Sequence, residues 1–167
     1  FDKVAKALGL GYPGGPRIDQ AAHRGDPSRL SLPRPMREVG YEFSFSGLKT
    51  AVLVHLQSTD RVSDDDLCAS FQDAVVDVLV TKTLRAARAC AARTVAVAGG
   101  VAANSELRRR MEEACKKAGI PLRSPSIGLC TDNAAMIARA GWELARLGLR
   151  SPLTLDARPN LPLTPRV

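Results

Sequence analysis

The sequence predicts an α/β fold, because helical patterns of apolar residues alternate with short β-rich runs in the second half of the chain. The clearest run is RTVAVA at residues 93–98, which two glycines join to a basic helix. Composition agrees, since 167 residues that are 45% hydrophobic and 25% charged can bury the core of one domain or of two small ones. We therefore expect an α/β layer in a globular protein.

The net charge of +7 is compatible with an anionic partner such as RNA or a nucleotide phosphate. Arginine and alanine enrichment also arises from codon bias, so the charge alone does not choose a partner. No apolar run approaches the roughly 20 residues of a membrane helix, and no charged-then-apolar leader opens the chain. These features favour a soluble, cytoplasmic protein with no membrane partner.

The cysteines and histidines are spaced too widely for a zinc knuckle or a disulfide framework. No C-x-x-C pair occurs, so we expect free thiols at positions 68, 90, 115 and 130. His23 and His55 lie too far apart in sequence to be paired metal ligands on adjacent turns of one helix. We interpret each as a lone surface histidine.

The first forty residues predict two short helices around a glycine turn. Val4, Ala7 and Leu8 recur at helical spacing with no capping residue before Phe1, which is typical of a cut end. Glycines then stop this helix, residues 12–16 form a turn, and a second helix runs from about residue 18 to 24. The two prolines in residues 30–36 predict an extended edge or a loop.

The middle of the chain predicts a strand, a corner and a long central helix. Residues 41–45 alternate aromatic and polar side chains like a strand, and the period changes to helical at Ser46. Ser63 precedes three aspartates and predicts the cap of a helix that is apolar on most sides as far as Cys90. Such a helix is expected at the centre of the fold.

Beyond residues 93–98, a helix is predicted from Asn104 or Ser105 to Gly119. Its solvated side chains are expected to be Arg108, Arg109, Lys116 and Lys117, opposite a buried face at positions 107, 111, 114, 115 and 118. A short extended segment follows, and then a last helix capped near Thr131 or Asp132 and closed at Gly148. The proline-punctuated remainder is expected to be a tail without a core of its own.

Gly99 and Gly100 are the first candidate site. Glycines after a buried strand let a ligand approach the main chain, and the next helix offers free amides and a positive dipole end to an anion. Asn104 can add its side-chain amide, so the turn suits a nucleotide phosphate or a ribose. The stretch is neither a Walker A loop nor G-x-G-x-x-G, and a strand-turn-helix with two glycines is also common as plain architecture.

Three carboxylates are further candidates. Asp2 and Asp19 bracket the turn that contains Gly15, and a helix-turn-helix corner could bring both near one ligand, where sugar hydroxyls are typical partners. The alternative is that both are solvent-facing acids on short helices. Asp132 is interpreted either as an N-cap or first-turn carboxylate, or as a ligand of a metal or phosphate site.

A rival hypothesis is an acyl-serine enzyme. Ser46 and Lys49 form an S-x-x-K, and residues 131–133, TDN, nearly match S-D-N, which are two of the three motifs of penicillin-binding enzymes. The third motif, K-T-G, is absent. We therefore hold this hypothesis as the less favoured one.

Six stretches occur in one fixed order along the chain: FDKVAKALGLGYPGGP, LPRPM, FSFSGLKTAV, SFQDAVVDVLV, AVAGGVAANSELR and CTDNAAMIARAG. Together they strongly resemble the carboxy-terminal portion of the tRNA N6-adenosine threonylcarbamoyltransferase family, TsaD, formerly described as a glycoprotease. The resemblance covers nearly the whole chain up to about residue 150. Several motifs in register are far more specific than any one of them.

This resemblance implies an ASKHA (actin-like ATPase) fold, of which the chain would hold only the second lobe. Residues 1–62 would form a helical and extended insertion, residues 63–150 the α/β lobe, and residues 151–167 the tail, with the amino-terminal lobe absent. The implied reaction transfers threonylcarbamoyl from threonylcarbamoyl-AMP to the N6 amine of the adenosine beside the anticodon, in tRNAs that read codons beginning with A. Implied partners are a non-catalytic paralogue (TsaB) and an ATPase (TsaE).

The resemblance also implies the roles of individual residues. Asp2, Gly15, Asp19 and Asn104 match substrate-contacting positions of the family, with Gly99 and Gly100 as the nucleotide loop. Asp132 matches its carboxylate ligand to a metal, usually assigned as iron. No protein nucleophile is needed, so no catalytic side chain is assigned and Ser46 is interpreted as structural.

The chain departs from the family at the metal site. Two histidines from the amino-terminal lobe complete that site in the family, and His23 and His55 do not match their positions. One carboxylate is a poor site for a transition metal, so we expect this chain alone neither to retain Fe²⁺ nor to transfer the group. An inactive half-protein that binds partners is the alternative function.

Overall fold

The structure is a computed structural model that describes residues 1–157. This part of the chain folds into a helix-dominated α/β arrangement, and none of its helices is long and apolar enough to cross a bilayer. The elements are α1 (Asp2–Ala7), α2 (Gly14–Ala22), α3 (Ser46–Leu56), α4 (Asp64–Ala89), β1 (Val95–Ala96), a 3₁₀ turn (Gly100–Ala103), α5 (Ser105–Ala118), β2 (Leu122–Arg123), a second 3₁₀ turn (Ile127–Leu129) and α6 (Ala134–Arg146).

The chain divides into two compact units. The first runs from Phe1 to Thr131 and holds every element up to the second 3₁₀ turn. The second begins at Asp132 and contains α6. The expected division at residues 62 and 150 into insertion, lobe and tail stays a prediction, and residues 158–167 of the expected tail lie outside the described residues.

Helix α4 is the centre of the first unit, as its apolar sequence predicts. The Ser63 side chain accepts a hydrogen bond from the Asp66 amide (3.1 Å) and caps it, which confirms the predicted start. The amino-terminal half of α4 packs with α1, α2 and α3 around Val4, Ile18 and Leu48. Its carboxy-terminal half packs with α5 and the strands around the residues at 76, 95, 107, 111 and 115.

The sheet is a two-stranded parallel pair. Val95 lies opposite Leu122 and Ala96 opposite Arg123, and α5 makes the connection between the strands. Gly119 ends α5 in the left-handed conformation (φ +67°), as predicted. The strands are short, so helices supply most of the packing around them.

Four local predictions were wrong. Residues 41–45 form no strand, because no partner pairs with them within the described residues. Helix α2 begins at Gly14 rather than near residue 18, since Pro16 lies in the first turn, where backbone N–H groups lack intrahelical acceptors. The cap of α6 is Asn133, which accepts from the Met136 amide, rather than Thr131 or Asp132.

The fourth error concerns Arg108, which is half-buried rather than solvated. Its guanidinium donates to the carbonyl of Ala102 (2.5 Å), to that of Pro125 (2.7 Å) and to Cys130 Sγ. It therefore ties α5 to the first 3₁₀ turn and to the segment that precedes the second.

A cluster of charged side chains lies along α4, which we call the arginine–aspartate cluster: Arg34, Arg37, Asp73, Asp77 and Arg110. Arg34 pairs with Asp73 (2.5 Å) and Asp77 (2.9 Å), Arg37 with Asp77 (2.6 Å), and Arg110 with Asp73 (2.6 Å). Burial opposes ionisation of Asp77, but the Arg37 hydrogen bond and the three nearby guanidinium charges outweigh it and lower its pKa. The cluster fastens residues 34–37 and α5 to the same face of α4.

Candidate functional site

The first unit contains a cavity of about 630 Å³, within the range of small-molecule sites. Its walls come from the α1–α2 corner, the first 3₁₀ turn, and the segment from Ile127 to Thr131. Five residues predicted to form a site line it, although up to about a hundred positions separate them in sequence: Asp2, Gly15, Asp19, Gly100 and Asn104. Gly99 is not among its lining residues.

The α1–α2 corner is held by Asp2 and Gly14. Asp2 Oδ1 accepts a hydrogen bond from the Gly14 amide at 2.8 Å and so satisfies a free N–H of the first turn of α2. A Cβ on Gly14 would lie 2.6 Å from Ala5 Cβ, so only glycine lets the two helices approach this closely. Gly15 has no such constraint and contributes bare main chain to the cavity wall.

Asp19, Gln72, Asn104 and Ser105 form a hydrogen-bonded group that we call the cavity network. Asn104 Nδ2 donates to Gln72 Oε1 at 2.7 Å and to Asp19 Oδ1 at 3.2 Å. The backbone amide of Ser105 donates to Asp19 Oδ2 (3.1 Å) and its hydroxyl to Asp19 Oδ1 (2.9 Å). Asp19 therefore is not a solvent-facing acid, because its carboxylate accepts hydrogen bonds from Ser105 at the amino terminus of α5.

The cavity network changes what the glycine turn can offer a ligand. We expected free amides at the start of α5, but Asp19 takes that of Ser105, and Asn104 Oδ1 takes that of Leu107 (2.9 Å). Both amide hydrogens of Asn104 are also donated within the protein. The Asn104 side chain thus positions Asp19, and its predicted substrate contact stays a prediction.

The 3₁₀ turn between β1 and α5 was not predicted, and it supplies other donors. Gly99 adopts φ +86°, which side-chain-bearing residues rarely adopt, so glycine is required there by backbone conformation. The amides of Gly100 and Val101, at the start of the turn, have no acceptor within residues 1–157. Both residues line the cavity.

Two acidic side chains line the cavity. Asp2 and Asp19 are its carboxylates, and neither lysine nor arginine is among its lining residues in the described part of the chain. His23 lies at the wall, with Nε2 3.0 Å from Ser105 Oγ. Carboxylates without a cationic partner are suited to accept hydrogen bonds from hydroxyl or amine groups, whereas unpaired backbone amides suit an oxyanion.

Asp132 belongs to the second unit, where it is exposed and precedes α6. The interpretation as a helix cap or first-turn acid was wrong, because Asn133 caps α6 and the first turn holds no acid. Residues 1–157 contain no group of three or more His, Cys, Asp or Glu side chains placed to hold a metal ion. The described residues therefore do not by themselves fit an iron ion.

The remaining singled-out residues lie away from the cavity lining. Ser46 and Lys49 are both exposed on α3. His55 Nε2 accepts from the Val62 amide at 3.2 Å, which ties the end of α3 to the segment before α4. All four cysteines are free thiols, as expected.

Gln72, Ser105 and Gly14 were missed by sequence reasoning. Gln72 is 5% exposed within an apolar stretch of α4, and a polar residue in such a stretch is the signal that marks a buried hydrogen-bonded position. Ser105 and Gly14 carry no comparable signal, because their roles depend on Asp19 and Ala5.

Comparison with known proteins identifies the family. A sequence model of TsaD, tRNA N6-adenosine threonylcarbamoyltransferase, matches residues 1–139. The chain belongs to this family. This membership confirms the predicted resemblance, and it places the fold in the ASKHA type.

Curated relatives named tRNA N6-adenosine threonylcarbamoyltransferase agree over nearly the full length of the chain. The relative from Thermotoga neapolitana is 55% identical over 162 residues, which cover 96% of this chain and 50% of the relative. Those from Symbiobacterium thermophilum and Geobacillus thermodenitrificans are 54% and 53% identical over 166 and 169 residues, with 98% of this chain and 49% of each relative covered. The chain thus spans about half the length of the curated relatives it matches.

Proposed function

We propose that this chain forms the carboxy-terminal part of a tRNA N6-adenosine threonylcarbamoyltransferase, the second lobe of an ASKHA fold with a helical insertion, and that its cavity binds threonylcarbamoyl-AMP. The observation that carries the proposal is the convergence of Asp2, Gly15, Asp19, Gly100 and Asn104 on one cavity. Family membership supports the reaction class.

The cavity offers two kinds of contact for such a ligand. The carboxylates of Asp2 and Asp19 would accept from ribose hydroxyls, because no lysine or arginine among the described lining residues competes for them. The amides of Gly100 and Val101 would donate to an oxyanion of the phosphate or of the carbonyl under attack. Asn104 and Ser105 would hold the Asp19 carboxylate in position while it accepts from the ribose.

In the proposed reaction, the N6 amine of the tRNA adenosine attacks the carbamoyl carbon of the mixed anhydride. A carbon–nitrogen bond forms, the bond from that carbon to the phosphate oxygen breaks, and AMP leaves with the bonding pair. The amine nitrogen gives up one proton to solvent. No side chain of this chain is required as a nucleophile. The contribution of the described residues is to bind and orient the adenylate and to stabilise negative charge on oxygen.

We further propose that Asp132 supplies one ligand to an Fe²⁺ site that other residues of the complete family protein would finish. The described residues do not form such a site alone, so no step above passes through a metal. TsaB-like and TsaE-like proteins are the proposed partners, and the cytoplasm, where tRNA is used, is the proposed location. On this basis the chain alone is expected to be inactive.

A transfer assay tests the proposal and its alternatives. The chain would be mixed with an amino-terminal half from the Thermotoga neapolitana relative, threonylcarbamoyl-AMP and tRNA, and threonylcarbamoyladenosine would be measured by mass spectrometry. If product forms only when the amino-terminal half is present, the result supports the proposal that this chain is the carboxy-terminal part of the transferase. Partner binding without product would favour the inactive binding module, and loss of an amidase or esterase activity in Ser46→Ala would favour the acyl-serine hypothesis.

A further inference from the structure

A second groove of about 460 Å³ adjoins the cavity, because Asp2 lines both. Its other lining residues are Lys3 and Lys6 of α1, the glycines at 9 and 11, and Tyr12. We call it the lysine–tyrosine groove. None of these additional residues has a role in the proposed adenylate site.

The two lysines give this groove unpaired positive charge. Lys3 and Lys6 are three positions apart on α1, so they project from the same face of the helix. Neither ammonium has a hydrogen bond or an ion pair within residues 1–157, whereas eight arginines of that range each pair with a carboxylate. Asp2, the acid that lines the groove, already accepts a hydrogen bond from Gly14.

Tyr12 gives the groove an open aromatic face. Its side chain is 83% exposed, and the next residue, Pro13, lines the adenylate cavity. Cβ atoms built on Gly9 and Gly11 would meet nothing within 4 Å, so the floor beside the ring is open. A large exposed aromatic beside unpaired lysines is the combination with which proteins bind single nucleic-acid strands.

We propose that the lysine–tyrosine groove binds a single RNA strand, with phosphates at Lys3 and Lys6 and a base stacked on Tyr12. The strand would pass over Pro13, and the adenosine that is to be modified would enter the cavity. An acidic peptide would match the lysines but would not use the planar ring, so the combination favours RNA. This inference rests on the proposed function of the cavity. It adds the residues that bind the RNA strand next to the adenosine to be modified.

The test uses fluorescence anisotropy of a short labelled single-stranded RNA titrated with the chain, alongside calorimetric titration with AMP. Lys3→Gln/Lys6→Gln is expected to weaken RNA binding about tenfold at moderate salt and to reduce the slope of log K against log salt by about 1.4. Tyr12→Ala is expected to weaken it about five- to tenfold, while Tyr12→Phe, which keeps the stacking face, stays within about twofold. The affinity for AMP should not change in any of these variants.

The matched control is Lys116→Gln/Lys117→Gln, which removes two exposed lysines at the end of α5 away from the cavity. An equal loss in this control would mean that RNA responds only to net charge and would overturn the inference. So would an absence of RNA binding, an unchanged affinity in Tyr12→Ala, or displacement of the RNA by an equimolar acidic peptide. If the wild type binds RNA in this groove but binds no AMP, the proposed function fails and the groove assignment stands.

Discussion

The arginine–aspartate cluster and the cavity network both contain side chains of α4. They differ in whether their carboxylates form ion pairs. In the cluster, Asp73 and Asp77 face three guanidinium groups, and their charges are neutralised within the protein. In the cavity network, Asp19 faces amides and a hydroxyl, with no ion pair in the described part of the chain. The cluster therefore contributes to stability, whereas Asp19 of the cavity network is held by hydrogen bonds and keeps a negative charge that no described lysine or arginine neutralises.

The largest effect is expected when the cluster is broken. Asp77→Ala leaves Arg37 without its principal carboxylate and weakens the pairing of Arg34, at a site where the Asp77 side chain is only 16% exposed. We expect a loss of about 2–3 kcal/mol in the free energy of unfolding. Urea denaturation followed by circular dichroism measures it.

The control for this prediction is Glu113→Ala, which removes a 54% exposed carboxylate paired with Arg109. Its expected cost is below about 0.5 kcal/mol. Equal effects of the two substitutions would contradict the assignment of stability to the cluster.

A smaller loss of stability is expected at the buried end of the cavity network. Gln72→Leu keeps the side-chain size but removes the acceptor of the Asn104 amide, which is itself 8% exposed. Leaving a buried donor unsatisfied costs about 1–3 kcal/mol, and we expect the lower end of this range because Asn104 Nδ2 keeps its hydrogen bond to Asp19. A looser Asn104 should also weaken AMP binding. Unchanged stability together with unchanged AMP affinity would show that Asn104 does not depend on Gln72.

Asp19→Asn tests the carboxylate that has no ion pair in the described part of the chain. The amide keeps the shape but carries no charge and presents a donor where a ligand hydroxyl needs an acceptor, so AMP affinity should fall about tenfold, or about 1.4 kcal/mol. Asp60→Asn, at an exposed carboxylate between α3 and α4, should leave the affinity unchanged. Calorimetry on both variants would reject the prediction if they behaved alike.

The smallest expected effect is on the pH dependence of stability. Because the pKa of Asp77 is lowered in the folded protein, the unfolded chain takes up its proton first as pH falls. The stability from Asp77 is therefore present above its ordinary pKa of about 3.9 and is lost below it. The difference in unfolding free energy between wild type and Asp77→Asn should narrow below about pH 4, and a difference that widened there would contradict the sign.

The sequence predicted the helices better than the contacts between them. Local signals were sufficient to locate helix ends, because such signals act within one or two turns. Examples are the Ser63 cap of α4, the change of period at Ser46 and the end of α5 at Gly119. The strand expected at residues 41–45 failed because a strand needs a partner, and alternation says nothing about one.

The sequence singled out residues that line one cavity, but not the hydrogen bonds between them. Asp2, Gly15, Asp19, Gly100 and Asn104 were each singled out, and one cavity contains them all. That Asp19 takes the first amide of α5 could not be predicted, because it depends on how α2 and α5 approach each other. The same holds for Gly14, where a Cβ would clash with Ala5 and Asp2 of the neighbouring helix.

The central claim is that the cavity of the first unit binds an adenylate, and an amide-resolved nuclear magnetic resonance titration of the chain with AMP tests it most directly. We predict saturable shifts of the backbone amides of Gly15, Gly100 and Val101, and about a tenfold higher AMP concentration for half-saturation in Asp19→Asn. Unperturbed amides at these positions, or shifts confined to the far end of α5 around Lys116, would contradict it.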